Sequence, residues 1–527
     1  MSHQEPAHTV YGLVDRLPAA RPAIYYGDRT LTYGQLAERS RRAAAGLEKL
    51  GIGAGDRVAL WLPNTPAWLV LYLACARLGA VAVAVNTRFR SAEVGDILGR
   101  AGCKALALWP GFKHIDFAGI LRDVDAAALE ALRSVIVCHD RADADHMPLL
   151  RGRNQTALDR LLETEPLAAG RGEAESPCNI LTTSGTTSKP KFVLHDQAGI
   201  TRHALDVAAA HGYTADDVTL LQMLPFCGAF GLAQAAATLA AGRPMALMPY
   251  FDAAEALRQV NRHRVTHLNG SNEMFKRMLE ASTDAVPMPS VRYAGYARFS
   301  ALPELPQQAA QRGLRLRGLY GMSETQALFA IQPEDDDELF SQPGGEPVSP
   351  QAQVRVRDPG SGVALAQGEV GELQVKAPGV MREYYGDAAA TRKAFTDDGF
   401  FRTGDLGYMT GRSGFVFTGR GGDALRLGGF LVAPGEIEAY VERHPAVEAC
   451  VVVEGAGDAA GKAVAFLICQ AGQDCSEREL MEFCRRGLAK FKVPARVHFV
   501  SAFPTRVGPN GAKVQRNELR EMARTLG

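Results

Sequence analysis

The stretch LTTSGTTSKPKFVLH, from Leu181 to His195, surrounds a single glycine with hydroxyl and lysine side chains. Backbone N–H groups, hydroxyls and positive charges placed together are suited to hold phosphate oxygens. The residues of this kind are Ser184, Gly185, Thr186, Thr187, Ser188, Lys189 and Lys191. The stretch lacks the GxxxxGK[ST] spacing of Walker-type loops, which disfavours a P-loop NTPase. The loop alone leaves one alternative open, a Ser/Thr-rich surface loop that binds no ligand.

Composition narrows the class of protein. The chain has 527 residues, of which 46% are hydrophobic and 22% charged, so we expect a globular protein of two or more domains. Lys plus Arg and Asp plus Glu both total 58, which argues against a general nucleic-acid or membrane-surface binder. The nine cysteines include no CxxC pair and indicate reduced thiols in a cytoplasmic protein. The sequence shows no signal peptide and no run of about 18 apolar residues, so neither secretion nor a membrane span is expected.

The N-terminal half alternates strands with helices. The segment RVALWLPNTPAWLVLYLACARLGAVAVAV, from Arg57 to Val85, predicts a strand, a helix and a second strand. The helix has Thr65 as its N-cap, Pro66 at its first position and Gly79 after its last turn. It is apolar nearly all round, so we expect it to be buried. The same alternation recurs from Val218 to Leu279, and the predicted class is therefore α/β, with parallel sheets covered by helices.

The character of the sequence changes after Gly419. The segment GRGGDALRLGGF, from Gly419 to Phe430, holds five glycines and is the predicted domain boundary. The elements predicted beyond it are a helix from Pro434 to Arg443, strands from Ala446 to Val453 and from Ala463 to Cys469, a helix that Ser476 and Glu479 begin with a capping box, and a strand from Val497 to Val500. We predict a large N-terminal domain of α/β subdomains over residues 1–420 and a small mobile α+β domain over residues 421–527.

Five motifs together resemble those of the adenylate-forming superfamily, which contains acyl-CoA synthetases, the adenylation domains of peptide synthetases and firefly-type luciferases. The loop at Leu181 resembles TSG[ST]TGxPKG, and GLYGMSETQ resembles YGxTE. FRTGDLGYMTGRSGFVFTGRGGD, from Phe401 to Asp423, resembles the TGD and GR signatures. DALRLGGFLVAPGEIE resembles DxIKxxGxxIxPxEIE, and KVQRNELR resembles K[IV]x[KR]xxLR.

The resemblance implies a two-step ligase. A carboxylate attacks the α-phosphate of MgATP to give acyl-AMP and pyrophosphate, and a thiol then attacks the activated carbonyl. The implied enzyme is an AMP-forming acyl-CoA synthetase that uses ATP, Mg²⁺ and coenzyme A and takes a small-molecule carboxylic acid as its substrate.

The resemblance also implies roles for individual residues. The implied phosphate ligands are Thr183, Ser184, Gly185, Thr186, Thr187 and Lys191. Tyr320 and Gly321 would belong to the nucleotide site, Ser323 would bond the α-phosphate, and Glu324 would hold Mg²⁺.

The remaining implied roles concern the ribose and the small domain. Asp405 would accept hydrogen bonds from both ribose hydroxyls, and Arg420 would reach the ribose or a phosphate. Lys513 falls on the catalytic lysine that bridges the carboxylate and the α-phosphate. Gly429 would approach the pantetheine arm of CoA after the small domain turns about residues 420–423.

Four positions depart from the family pattern. Ser188 and Phe192 stand where the family usually has glycine, so we expect a stiffer phosphate loop than in relatives. Gly422 stands where the family hinge has Asp or Lys, and Ala512 replaces the glycine before the catalytic lysine.

Other departures concern the acid. The segment PFCGAFG, from Pro225 to Gly231, contains no acidic residue, which disfavours an amino acid substrate, and Cys227 and Gly228 replace the usual Phe and His. HLNGSNEMF, from His267 to Phe275, places Asn269, Ser271 and Asn272 where relatives are more apolar. We therefore hypothesise a hydrogen-bonding acid, such as a substituted aromatic or hydroxylated one. We interpret Arg298 as a surface or structural arginine, with contact to a second substrate carboxylate as the alternative.

Two other functions remain open. One is an acyl-AMP ligase that loads a free-standing acyl carrier protein. The other is a degenerate member that binds nucleotide or acyl-adenylate without turnover, although retention of Glu324, Asp405, Arg420 and Lys513 argues for catalysis. A monomer or a homodimer is expected.

Overall fold

Two large β-sheets and the helices packed on them form most of the protein. The computed structural model describes residues 8–138, 149–150, 152–183, 190–298, 302, 304–411, 413–423, 425–427, 430–432, 434–455, 459, 461–488, 492–508 and 511–526. The described strands are β1 Pro22–Tyr26, β2 Arg29–Thr32, β3 Arg57–Trp61, β4 Val81–Ala84, β5 Ala105–Leu108, β6 Ser134–Val137, β7 Asn154–Ala157, β8 Pro177–Thr182, β9 Phe192–Asp196, β10 Leu220–Gln222, β11 Met245–Leu247, β12 His267–Ser271, β13 Tyr293–Ala297, β14 Leu316–Tyr320, β15 Ala330–Ile331, β16 Gly344–Pro347, β17 Gln353–Arg357, β18 Gly371–Lys376, β19 Glu383–Tyr384, β20 Phe401–Met409, β21 Phe415–Arg420, β22 Leu425–Leu427, β23 Phe430–Val432, β24 Val447–Glu454, β25 Ala463–Cys469, β26 Arg496–Phe499, β27 Thr505–Gly508 and β28 Gly511–Val514.

The described helices are distributed along the whole chain. They are α1 Gly12–Asp15, α2 Tyr33–Lys49, α3 Pro66–Leu78, α4 Ser91–Ala101, α5 Phe117–Arg122, α6 Leu158–Leu162, α7 Gln197–Ala210, α8 Ala229–Ala241, α9 Ala253–His263, α10 Asn272–Glu280, α11 Leu305–Gln311, α12 Ala388–Ala394, α13 Pro434–Val441, α14 Glu477–Gly487 and α15 Arg516–Thr525. None of those the structure describes is long and apolar enough to cross a bilayer.

Parallel pairing dominates the centre of both large sheets, as the sequence predicts. The first sheet has the order β17-β18-β20-β21-β16-β15-β14-β13-β12-β10-β11-β1-β2, and the second has the order β19-β9-β8-β4-β3-β5-β6-β7. The run from β14 to β1 and the run from β8 to β7 are parallel throughout. The loop at Thr183 follows the carboxyl end of β8, and the motif at Gly321 follows the carboxyl end of β14. Ligands of open α/β sheets bind at such edges.

Helix α3 shows why the sequence prediction holds. It begins at Pro66 and ends before Gly79, whose φ of 69° is left-handed and suits glycine. Residues from Trp68 to Leu78 are buried, because both neighbouring layers are apolar. One detail differs from the prediction: Thr65 occupies the N-cap position, but its hydroxyl makes no capping bond.

The C-terminal part is a small α+β unit, as predicted. Its sheet has the order β24-β25-β26, with β24 and β25 antiparallel and β25 and β26 parallel. Helices α13 and α14 pack on one face and α15 packs on the other. Ser476 caps α14 by accepting from Glu479 N at 3.2 Å, but the reciprocal bond of a capping box is not among the bonds of the described residues. Strand β21 ends at Arg420, where the predicted boundary lies.

Candidate active site

The predicted phosphate loop is the turn of a β-hairpin. Strands β8 and β9 pair antiparallel, and Thr183 N donates to Lys191 O at 3.0 Å, which closes the base of the loop. Thr183 and Lys191 therefore lie side by side at the two ends of the turn. The tip, which carries Ser184, Gly185, Thr186 and Thr187, lies outside the described residues.

The exit of this loop is firmly anchored. Phe192 is buried in β9, and the guanidinium carbon of Arg100 lies 4.0 Å from the centroid of its ring. Arg100 Nη2 also donates to Pro190 O at 2.8 Å. Phe192, where the family usually has glycine, is thus held by a cation–π contact, and the same arginine bonds the backbone of Pro190.

The second motif forms a tight turn after β14. A Cβ at Gly321 would lie 2.6 Å from Ala327 Cα, so only glycine fits between the strand end and the returning chain. The next residues, Ser323–Thr325, form a single 3₁₀ turn that carries Glu324. The motif therefore places the Ser323 backbone and the buried Glu324 side chain directly beyond the strand.

Glu324 joins the two predicted phosphate-binding elements. Its Oε1 accepts a hydrogen bond from Tyr384 Oη at 2.8 Å, and the Lys191 Nζ lies 4.4 Å from the centroid of the same tyrosine ring. Burial, reinforced by the nearby Glu324 charge, raises the pKa of Tyr384, so its hydroxyl remains a donor. Tyr384 reaches this place because β19 pairs with β9, with Tyr384 opposite Val193. Tyr384 belongs to none of the five motifs, so its role could not be assigned from the sequence.

The turn from Ser323 to Leu328, the Glu324 turn, has a strained backbone. Gln326, Ala327 and Leu328 have φ values of 60°, 50° and 44°, and none is glycine. Left-handed backbone costs about 1–2 kcal/mol for each such residue, so other contacts must stabilise this turn.

Two buried histidines make such contacts. His195 Nε2 lies 2.8 Å from Ser323 O, and His203 Nε2 lies 2.8 Å from Ala327 O. A carbonyl only accepts, so both Nε2 atoms carry the proton. Burial lowers the pKa of both imidazoles to about 4, which keeps them neutral near pH 7. His195 ends the stretch that begins at Leu181 but received no predicted role, and His203 lies outside every motif.

Asp405 lies beneath Tyr320 and Arg420. Tyr320 Oη donates to Asp405 Oδ2 at 2.8 Å, and Arg420 Nη1 lies 2.7 Å from Oδ1 in an ion pair. That contact lacks hydrogen-bond geometry, so Oδ1 has no hydrogen-bond partner. Burial raises the pKa of Asp405 to about 6 against the opposing charge of Arg420. A buried carboxylate oxygen that accepts no hydrogen bond from the protein can accept one from a ligand.

The Asp405 and Glu324 clusters lie close enough for their charges to act on each other. The Glu324 charge helps to raise the pKa of both Asp405 and Arg420, although burial is the main cause for Asp405 and the Asp405 charge is the main cause for Arg420. The structure therefore brings together Thr183, Lys191, Tyr320, Gly321, Ser323, Glu324, Asp405 and Arg420.

The predicted residues of the small domain are described only in part. Lys513 lies on β28 with its backbone opposite Arg506, but its side chain lies outside the described structure, as does Gly429. Arg420 is followed by the short turn Gly421–Asp423. Arg520 Nη2 donates to Gly422 O at 2.9 Å and to Asp423 Oδ1 at 2.8 Å, so helix α15 holds the end of this turn.

Two of the polar residues predicted to lie beside the acid, Asn269 and Ser271, form hydrogen bonds within the protein. Asn269 is buried and donates to Tyr213 Oη at 2.7 Å and to Gln234 Oε1 at 2.9 Å. Ser271 Oγ accepts from Met274 N at 3.2 Å and caps helix α10. The hypothesis of a hydrogen-bonding acid therefore gains no support from Asn269 or Ser271, whose polar groups the fold itself uses.

Arg298, Cys227 and Gly228 also belong to the segments that the sequence links to the acid. Arg298 is exposed after β13, in line with its interpretation as a surface residue. All nine cysteines are free, and burial raises the pKa of the Cys227 thiol to about 12. Gly228 is the N-cap of α8.

A small cavity lies beside the strained turn. It is bounded by polar side chains of Asn179, His195, His203 and Gln326 and by apolar residues of α7 and α8. Its volume of about 10 Å³ is room for about one water molecule. An acid that enters between this turn and α8 must therefore widen the cavity.

The donor set suits a metal that is held largely by its substrate. Among the residues that the structure describes, no three His, Cys, Asp or Glu side chains lie together as a metal cluster. Glu324 offers one carboxylate, with Oε1 fixed by Tyr384 and no hydrogen bond to Oε2 from the described residues. Mg²⁺ is bound in this way, by one or two carboxylates with phosphate oxygens and water. The residues present therefore fit Mg²⁺.

Comparison with known proteins agrees with this geometry. A model of the AMP-binding enzymes matches residues 14–385, and a model of the AMP-binding enzyme C-terminal domain matches residues 436–508. The chain is 32% identical to 3-[(3aS,4S,7aS)-7a-methyl-1,5-dioxo-octahydro-1H-inden-4-yl]propanoyl:CoA ligase of Mycobacterium tuberculosis, over 98% of this chain and 99% of that one. It is 27% identical to a human mitochondrial medium-chain acyl-CoA ligase, over 94% and 84% of the two chains.

A solved structure has the same architecture. ATP-bound MatB from Rhodopseudomonas palustris superposes with a TM-score of 0.84 at 27% identity, over 98% of this chain and 99% of that one. The chain therefore belongs to the AMP-binding enzyme family of the adenylate-forming superfamily and is an ATP-dependent, AMP-forming acyl-CoA ligase.

Proposed function

We propose that the cleft formed by the phosphate loop, the Glu324 turn and Asp405 activates a carboxylic acid as acyl-AMP and then passes the acyl group to coenzyme A. The observation that carries this proposal is the contact series from Lys191 through Tyr384 to Glu324. It places a cation from the phosphate loop and a carboxylate from the second motif against one tyrosine ring. A bound triphosphate needs both, the cation for its oxygens and the carboxylate for its metal.

In the first step the residues act mainly by positioning. Lys191 and the loop that begins at Thr183 would hold the β- and γ-phosphates, and the Ser323 hydroxyl would donate to the α-phosphate. Tyr384 fixes the carboxylate of Glu324, which would hold Mg²⁺. When bound there, Mg²⁺ supplies positive charge that offsets the negative charge of the phosphates.

Asp405 would hold the ribose. Its Oδ1 lacks a hydrogen bond, and a ribose hydroxyl would supply one. In the structure Tyr320 and Arg420 cover this carboxylate, so the nucleotide must displace part of that cover. Half of the Arg420 side chain is exposed, which allows its guanidinium to move toward a phosphate.

The small domain would serve both steps in turn. Lys513 would bridge the carboxylate and the α-phosphate during adenylation, and Gly429 would line the path of pantetheine during thiolation. Residues Gly421 and Gly422 carry no side chains, whereas the Gly422 carbonyl and the Asp423 carboxylate both accept hydrogen bonds from Arg520. We therefore place the pivot before Asp423 and the boundary between residues 420 and 421.

The acid is proposed to be a medium-sized carboxylate on an alkyl arm, with a hydrogen-bonding group further along. The bicyclic dione propanoate in the name of the 32%-identical relative supports this class. Coenzyme A is preferred over a carrier protein as the acceptor, because the similar proteins are named as CoA ligases. The free state of all nine thiols supports a cytoplasmic location, and we propose a monomer or a homodimer there.

The first test is pyrophosphate release with a panel of acids. The panel contains octanoate, palmitate, 4-hydroxybenzoate, 3-cyclohexylpropanoate and its ring-ketone analogue. The ring-ketone propanoate is expected to give the highest kcat/KM. Palmitate as the best substrate would contradict the proposed class of acid, and no release above background with any acid would favour a binding protein without turnover. Carrier protein replacing CoA as the better acceptor would favour the acyl-AMP ligase.

The second test separates the two steps. Lys513→Ala should lower adenylation by about 10²–10³-fold, because it removes the cation between two negative groups, and should leave thiolation of supplied acyl-AMP within about 3-fold. Lys462→Ala, an exposed lysine of the same domain, is the matched control. Equal loss in both steps would refute the role of Lys513.

A further inference from the structure

The support for the Glu324 turn comes from the element that carries the phosphate loop. His195 lies on β9, four residues after Lys191, and bonds the carbonyl immediately before Glu324. His203 lies on α7, the helix that follows β9, and bonds the carbonyl of Ala327. The two imidazoles thus hold the turn at both sides of Glu324.

Two further hydrogen bonds join the turn to the loop that packs on His203. Gln326 Nε2 donates to Gly379 O at 2.8 Å, and Met381 N donates to Glu324 O at 2.7 Å. A Cβ on Gly379 would lie 3.1 Å from His203 Cβ, so the loop that follows β18 packs tightly against that imidazole.

We propose that His195 and His203 are positioning residues for adenylation, which fix the Glu324 carboxylate relative to the phosphate loop by holding the carbonyls of Ser323 and Ala327. This inference rests on the proposed role of Glu324. Neither histidine touches substrate; each acts through the backbone. Loss of either bond allows the strained turn to unwind and moves Glu324 away from the phosphates.

The chain contains a matched control for a buried histidine. His211 is also buried, and it bonds a side chain, Tyr293 Oη, at 2.7 Å. It is the C-cap residue of α7, and its hydrogen bond goes to Tyr293 rather than to a carbonyl of the Glu324 turn. His211→Leu removes a buried imidazole and its hydrogen bond without altering that turn.

The experiment compares His195→Leu, His195→Gln, His203→Leu and His211→Leu in acid-dependent pyrophosphate release, thiolation of supplied acyl-AMP and thermal unfolding. His195→Leu and His203→Leu should lower the kcat of adenylation by about 10–100-fold and raise the Mg²⁺ concentration for half-maximal rate by about 10-fold. Thiolation should stay within about 3-fold of wild type. Glutamine retains an N–H donor of similar reach, so His195→Gln should recover to within about 3-fold. If His195→Leu does not fold, His195→Asn, whose side chain is too short to reach Ser323 O, takes its place.

His211→Leu should lower the unfolding temperature to a similar extent and leave adenylation kinetics unchanged. Equal loss of adenylation in His195→Leu and His211→Leu, equal loss in both half-reactions, or no recovery with glutamine would overturn the inference. Glu324→Gln is measured in the same series. Full adenylation by Glu324→Gln would refute the proposed role of Glu324, whereas loss in that variant with unchanged adenylation in both histidine variants would overturn the positioning role alone.

Discussion

Asp405 and Asn269 are both buried polar residues on strands of the same large sheet, but their surroundings differ. Asn269 on β12 finds protein partners for both ends of its amide, since it donates to Tyr213 and Gln234 and accepts from Tyr293 at 3.3 Å. Asp405 on β20 has one oxygen, Oδ1, that forms an ion pair with Arg420 but accepts no hydrogen bond, and its pKa is raised. A buried polar group that the fold satisfies stabilises the fold, whereas one left unsatisfied is available to a ligand.

The largest expected effect concerns catalysis at Asp405. Asp405→Asn keeps the shape of the side chain but removes its charge, so it should lower kcat/KM for ATP by about 10³-fold, equivalent to about 4 kcal/mol. The measurement is acid-dependent pyrophosphate release at varied ATP. Asp397→Asn, an exposed neighbour, is the control and should behave as wild type. Wild-type kinetics in Asp405→Asn would remove this residue from the nucleotide site.

The next effect concerns stability at Asn269. Asn269→Ala removes the donor to the buried Tyr213 hydroxyl and to Gln234 Oε1 and should lower the free energy of unfolding by about 3 kcal/mol. Its KM for the acid should not change, because the amide does not face substrate. Urea unfolding and steady-state kinetics measure the two quantities, with exposed Asn261→Ala as the control. A raised KM at full stability would return Asn269 to the acyl site.

The same comparison predicts an opposite stability change at Asp405. The pKa of about 6 in the folded protein lies above the ordinary aspartate value, so the folded state favours the protonated form. That stabilisation is complete below the unfolded pKa, near pH 4, and is lost as pH rises through 6.

Asp405→Asn should therefore be more stable than wild type by about 3 kcal/mol at pH 8 and about equal to it at pH 4. Chemical unfolding at the two pH values measures this. A destabilised Asp405→Asn at pH 8 would mean that the ion pair with Arg420 outweighs the cost of burying the charge.

The smallest expected effect distinguishes two roles of Ser271. As the N-cap of α10, its replacement in Ser271→Ala should cost about 1 kcal/mol of unfolding free energy and leave the KM for every acid in the panel unchanged. Ser501→Ala, which alters an exposed serine, is the control. An acid-specific rise in KM would show that Ser271 contacts substrate.

Local patterns predicted the fold well, because each local pattern has a local cause. The apolar run of α3 and the glycine after it predict a buried helix with a left-handed end, and both are found. The motif residues from Tyr320 to Asp405 were also predicted to meet, since their separate motifs share one ligand. Tyr384 could not be predicted, because it reaches Glu324 only through the pairing of β19 with β9.

The role of Asn269 could not be predicted for a related reason. Its partners Tyr213, Gln234 and Tyr293 come from separate elements, and residue type alone does not tell whether such partners are near. His195 and His203 were overlooked because their partners are backbone carbonyls, which leave no trace in the sequence.

The half-buried thiol of Cys227 has a consequence for the proposed reaction. An acyl-adenylate is an acylating agent, and any thiolate nearby competes with coenzyme A for its carbonyl. Because the pKa of Cys227 is raised to about 12, this side chain stays a neutral thiol at cellular pH. If the proposed acyl-adenylate forms beside the start of α8, this neutral thiol would not compete with coenzyme A for it.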